Sequence, residues 1–263
     1  MLMASPASHR EDSADGVASR IRSGERTGIG WRRLLDQYFY FLMSLFMALV
    51  VLYGFSRTVG DKLLHPAIPR PFILYLHAWV FSGWVAFFVF QTAMVRTSHL
   101  RWHRMAGRFG AALGASVFVV GISTAITMAR FNIAHFQSRY AALALLVSWY
   151  DITAFAIPFA LAIYWRREPE RHRRLMLVAT AALMAAAFGR FPIPPQLRPP
   201  VFFYTAVDSL IVLGMTRDWM VTGRVHRVYL GALAAFVVCQ AAVVHALYQH
   251  SPYWLRITHL IVD

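Results

Sequence analysis

The chain has one cysteine, Cys239, and one lysine, Lys62, among 263 residues. A lone thiol inside an apolar run excludes a disulfide framework and a thiolate metal centre. Charge is scarce as well, since Asp, Glu, Lys and Arg make up 14% of the sequence, and acids number 12 against 26 basic residues. No phosphate-cradling glycine loop, HExxH helix or GxSxG elbow is present, which disfavours the mechanisms of soluble enzymes. What fills the chain is apolar: 58% of residues are hydrophobic and 15% aromatic, against roughly half apolar in soluble domains. A net charge of +14 suggests nucleic acid in a soluble protein. Here the basic residues fall between apolar runs, so the expected partner is a bilayer with anionic headgroups and not nucleic acid.

Apolar runs occupy about 38–56, 72–95, 107–129, 140–165, 174–191, 201–220 and 228–248. A span needs about 20 such residues, so the pattern predicts an all-α, polytopic membrane helix bundle of about seven transmembrane helices. Prolines mark the joints, at Pro66, Pro69 and Pro71 and again from Pro192 to Pro200. The sixth run is cut short by Arg217 and Asp218. Eighteen of the 26 basic residues fall in the N-terminal tail and the three joints on its side of the membrane. That bias predicts an N-terminus in the cytoplasm and a C-terminus on the far side, which is the periplasm if the membrane is a bacterial inner (plasma) membrane, as the resemblance given below implies. The organisation is then a disordered cytoplasmic tail (1–35), a bundle (36–250) and a short periplasmic C-terminal segment (251–263). The first 30 residues have no apolar core of a signal peptide and read as a polar tail, or as a start codon assigned too far upstream.

Three joints repeat a feature. Arg101-Trp102-His103-Arg104 precedes the third run, Arg171-His172-Arg173-Arg174 the fifth and Arg224-Val225-His226-Arg227 the seventh. Asp151 lies 21 residues before His172, and Asp208 lies 18 before His226. This spacing predicts one leading helix plus three hairpins, each turning on a His-Arg pair. His103, His172 and His226 should share one depth, and Asp151 and Asp208 another. Anchoring in headgroups explains the arginines, Arg104, Arg173 and Arg227, and an imidazole is not needed for it. Gly107, Gly110, Gly114 and Gly121 in the third run, with Ala181, Ala185 and Gly189 in the fifth, form small-residue stripes for close helix packing.

Polar residues inside the runs are the candidate sites. An ionised carboxylate at mid-bilayer costs about 2.5–3.5 kcal/mol on insertion scales, so Asp151 and Asp208 need a partner, a watery cavity or a proton. Pro158, just after Asp151, frees the carbonyl of Ala154. Gln91 reads as a helix-contact residue, and Arg190 as a partner for an acid or an anionic ligand or as a snorkelling side chain. His77 and His245, at similar depth in the second and seventh runs, are candidates for axial haem ligation or for a metal ion.

The stretch His77…Gln91…Arg96…His103-Arg104-xx-Gly107-Arg108 resembles a pattern in uncharacterised bacterial multi-pass membrane proteins. His172-Arg173-Arg174-Leu175-Met176 and the Ala-rich helix after it resemble the next hairpin of such proteins. The resemblance covers about residues 70–250 and implies the fold without an activity. A weaker similarity is to b-type transmembrane cytochromes, which implies haem b. This chain departs from them in having no His in the fourth and sixth runs. Three readings stand, in order: a non-catalytic scaffold or sensor with a protein partner or a second copy of itself, a haem-binding or redox protein, and a small proton-coupled transporter. No catalytic residue is assigned.

Overall fold

A computed structural model describes the backbone of residues 8–136, 141–194, 196–197, 199–249 and 252–262, and most side chains from Gly30 onward. The expected tail, 1–35, thus falls largely outside the described side chains. Among the described residues every regular element is helical: α1 Ser8–Ser56, α2 Phe72–Arg96, α3 Leu100–Phe136, α4 Ala141–Tyr164, α5 Pro169–Phe188, α6 Pro199–Thr222, α7 Arg227–Tyr248 and α8 Pro252–Val262. A π-helical turn, Gly60–Leu64, lies in the joint between α1 and α2.

Five helices are long and apolar enough to cross a membrane: Gly30–Ser56 of α1, α2, α3, Ala144–Tyr164 of α4, and α7. The other two long helices are interrupted by charge. α5 carries Glu170, Arg171, Arg173 and Arg174 in its first turns, and α6 contains Asp208, Arg217 and Asp218. Large apolar side chains such as Leu49, Leu52, Trp79, Val119 and Val238 are exposed on the outside of the bundle. A surface of that kind is a liability in water and is satisfied by hydrocarbon.

α5 is the central helix. Nearly every side chain from Arg174 to Phe188 is buried, against α1, α4, α6 and α7. Its alanines make this closeness feasible, and the backbones meet where a Cβ on Gly54 of α1 would lie 2.5 Å from the carbonyl oxygen of Ala187. α3 packs between α2 and α4. A Cβ on Gly110 would meet Phe87 at 2.3 Å, one on Gly114 would meet Phe159 at 2.2 Å, and one on Gly121 would meet Ile152 at 2.5 Å. Gly107 departs from the expected stripe, because nothing lies within 4 Å of the position of its Cβ. Between α2 and α4, Trp84 is buried edge-on to Phe155 and Phe159 with ring centroids 5.2 and 5.4 Å away. The C-terminal segment folds as α8, which packs on α4 and α3 with Trp254 set 5.8 Å from Trp149.

Candidate functional site

The bundle has two ends. One carries the His-Arg joints α2–α3, α4–α5 and α6–α7. The other carries the joints α1–α2, α3–α4 and α5–α6. In the half nearer this second end, α1 to α5, with Phe203 of α6, line a half-open cavity of 840 Å³. That is the upper part of the range for small-molecule sites, which are apolar with a few convergent polar groups. The walls fit this description, with Phe55, Phe81, Val85, Met128, Leu145 and Phe203 among them. Three residues singled out in the sequence meet here: His77 of α2, Asp151 of α4 and Arg190 just past α5 all line the cavity.

Each is held differently. His77 stacks on Phe81 one turn away, with ring centroids 3.8 Å apart, and its Nδ1 is buried without a partner. Arg190 donates from Nε to Thr58 Oγ1 at 3.2 Å and from Nη1 to the Ala186 carbonyl. Its guanidinium carbon lies 4.1 Å from the centre of the Phe55 ring. Asp151 is half-buried and makes neither an ion pair nor a hydrogen bond among the described residues. Lys62, exposed in the π-helical turn, completes the polar wall where the cavity reaches the α1–α2 joint.

Asp151 also borders a second space. A narrow gap among α4, α5, α6 and α7 is lined by Tyr150, Asp151, Tyr204 and Gln240 beside Ala182 and Ala185. Gln240 of α7 donates to Asp208 Oδ1 of α6 at 2.9 Å. Tyr150 stands in the electrostatic field of both Asp151 and Asp208. The rings of Tyr150 and Tyr204 meet edge-on at 5.4 Å, and the Tyr204 hydroxyl is buried without a partner. The two intramembrane acids therefore belong to one polar region.

At the His-Arg end the structure holds a network that the sequence reading did not identify. Asp218, with no exposure, accepts a fork of bonds from Arg174 (Nε to Oδ2 2.7 Å, Nη2 to Oδ1 2.8 Å). Arg217 Nη1 donates to the same Oδ1 at 2.8 Å, and the His226 amide approaches Oδ2 at 3.3 Å. Arg174 further holds Glu170 Oε2 at 2.6 Å, while Arg217 pairs with Asp36 of α1. Tyr40 of α1 lies under both Arg173 and Arg217, at 5.3 and 5.4 Å. Its hydroxyl is 3.4 Å from that of Tyr229. The signal was in plain view: the Arg217-Asp218 pair that seemed to end a span is instead buried inside the bundle.

The three joint histidines gather at this end with separate tasks. The rings of His103 and His172 are 6.3 Å apart. His172 Nδ1 is 2.8 Å from the Ala162 carbonyl and ties α5 to α4, and His226 caps α7 by accepting from the Val228 amide at 3.2 Å. Burial, with Arg174 second, holds the His226 imidazole below its ordinary pKa. Arg173 bridges Glu170 at 2.7 Å and Asp36 at 3.6 Å. Arg104 and Arg227 are exposed. Gln91 is buried with both amide atoms unpartnered. His245 is exposed on α7 and does not line the cavity that holds His77, so the two imidazoles are not brought together there. No group of three or more metal-ligating side chains exists among the described residues. Comparison with known proteins adds no family: no family model matches the sequence, and neither a curated protein nor a solved structure matches it.

Proposed function

We propose that this chain is a seven-span bacterial inner-membrane protein that carries a small molecule across the bilayer, with Asp151 as its protonatable group. The N-terminus is cytoplasmic and the C-terminus periplasmic in this reading, so the cavity faces the periplasm. The observation that supports it is the position of Asp151, on the cavity wall and beside Gln240, which bonds Asp208. A carboxyl group this deep costs several kcal/mol when ionised, so a bound proton or a charged solute changes its state strongly. α5 and α6 are spans here although their ends are charged. α5 is shielded by its neighbours, and its arginines sit at the basic interface. The scaffold or sensor reading accounts for the His-Arg joints but leaves the cavity and its acid without a role. A haem reading lacks a second imidazole at the cavity.

The test needs no knowledge of the solute. In a Cys239→Ala background, Ser148→Cys places one thiol on the cavity wall, about one helical turn from Asp151. A carrier exposes it alternately to both sides, so a membrane-impermeant maleimide should label it in right-side-out and in inverted vesicles. Labelling from the periplasmic side alone would refute transport.

A further inference from the structure

Arg190 is half-buried, and no carboxylate pairs with it among the described residues. A guanidinium away from bulk water without an anion is costly. The site around it is nonetheless built. Phe55 backs the guanidinium, Thr58 and the Ala186 carbonyl hold Nε and Nη1, and the side chain lines the cavity. A stacked, tethered arginine is pre-organised for a carboxylate, sulfonate or phosphate. Lys62 adds a second cation at the rim, and the unpartnered Nδ1 of His77 a further polar group on the same wall. Deeper in, the wall is mostly apolar, with the hydroxyls of Ser82, Thr124 and Ser148 among aliphatic and aromatic side chains, down to Asp151, which lies at the level of Ala182 and Ala185. Arg190 is five residues beyond Ala185, so guanidinium and carboxylate are offset by on the order of 10 Å along the helix axis.

We infer that the cavity binds an anionic amphiphile, its head on Arg190 and Lys62 and its apolar body lying between Arg190 and Asp151. The inference rests on the cavity proposed above as the solute site. A cationic amphiphile meets two positive charges at the rim, and a neutral one leaves Arg190 unpaired. The head can come from a bilayer phospholipid or lysophospholipid, or from a free amphiphile on the aqueous side.

The protein in phosphatidylcholine nanodiscs is titrated by calorimetry with decanesulfonate, decanol and decyltrimethylammonium, against empty discs. The sulfonate head stays ionised, so its uptake is not confused with protonation. Saturable sulfonate binding, tighter than decanol by about tenfold or more, is expected, a factor of ten corresponding to about 1.4 kcal/mol. Arg190→Gln should abolish that preference and Arg190→Lys should keep most of it, each with its thermal transition checked; Lys62→Gln, at the exposed rim, should weaken the preference without risk to folding. A phospholipid retained through purification and released in Arg190→Gln, seen by native mass spectrometry, supports the same site with the bilayer as source. Equal affinity for sulfonate and decanol with no such lipid, or an unchanged preference in Arg190→Gln, overturns the inference. Two-sided labelling of Ser148→Cys without a sulfonate preference removes the ligand class and leaves transport standing; sulfonate preference with one-sided labelling does the reverse.

Discussion

Asp218 offers the sharpest perturbation. Its carboxylate accepts two bonds from Arg174, one from Arg217 and an approach from the His226 amide, and both arginines are almost fully buried. Removing one partner of a buried ion pair typically costs about 3–5 kcal/mol, because the surviving charge is left without compensation. Arg174 keeps Glu170 at 2.6 Å and Arg217 keeps Asp36, so Asp218→Ala should fall at the lower end, about 3 kcal/mol. Glu170 is itself exposed and contributes little, so Glu170→Gln should cost less than about 1 kcal/mol. Replacing both members, Arg174→Met with Asp218→Leu, removes the desolvation cost along with the attraction and should recover much of the loss. Reversible unfolding in mixed micelles, read by tryptophan fluorescence, measures all four proteins. A loss below about 1 kcal/mol in Asp218→Ala, or a double variant as unstable as the single, would refute the reasoning.

His226 predicts a dependence on pH. Burial and then Arg174 lower its folded-state pKa, with Asp218 and Glu170 acting in the opposite sense and Arg171 in the same one. Below the unfolded value of about 6.5 the unfolded chain takes up a proton that the folded chain resists, so stability falls as pH drops through that value. His226→Asn retains a capping oxygen and should flatten unfolding midpoints between pH 7 and pH 5; an unchanged slope would assign the effect elsewhere. Packing supplies a third comparison. Gly114→Ala forces a methyl group to within 2.2 Å of the Phe159 ring and should cost about 1–3 kcal/mol. Gly107→Ala, with open space around it, should be neutral or slightly stabilising from helix propensity, and the same unfolding assay ranks the two.

Much of the frame was legible because lipid imposes coarse rules. Apolar runs of span length became helices, and the joints fell near Pro71, Pro169, Pro199 and His226, where proline or a capping side chain starts the next helix. His77, Asp151 and Arg190 could be singled out because a polar group is conspicuous in an apolar run. Their convergence could not, since they come from α2, α4 and the end of α5. Gln240 was passed over because a single amide in α7 looks harmless until Asp208 is seen 2.9 Å away. In the sequence Asp218 only marks the end of an apolar run, and Arg174 stands in a basic joint where arginines usually snorkel; in the structure the two are buried against each other.

By itself the sequence determined the all-helical architecture, the apolar segments and the clustering of basic residues at alternate joints, since those depend on composition along a stretch of chain. Tertiary structure alone decided that α5, which is not among the five helices apolar enough to cross a membrane, sits at the centre, and that α1 to α5, with Phe203 of α6, leave 840 Å³ unfilled around His77, Asp151 and Arg190. The reason is physical: in a membrane the lipid-facing and the packed faces of a helix are both apolar, so hydrophobic periodicity does not say which face meets which neighbour. Only side-chain volumes and polar partners on other helices settle that, and a cavity is the place where those volumes fail to meet.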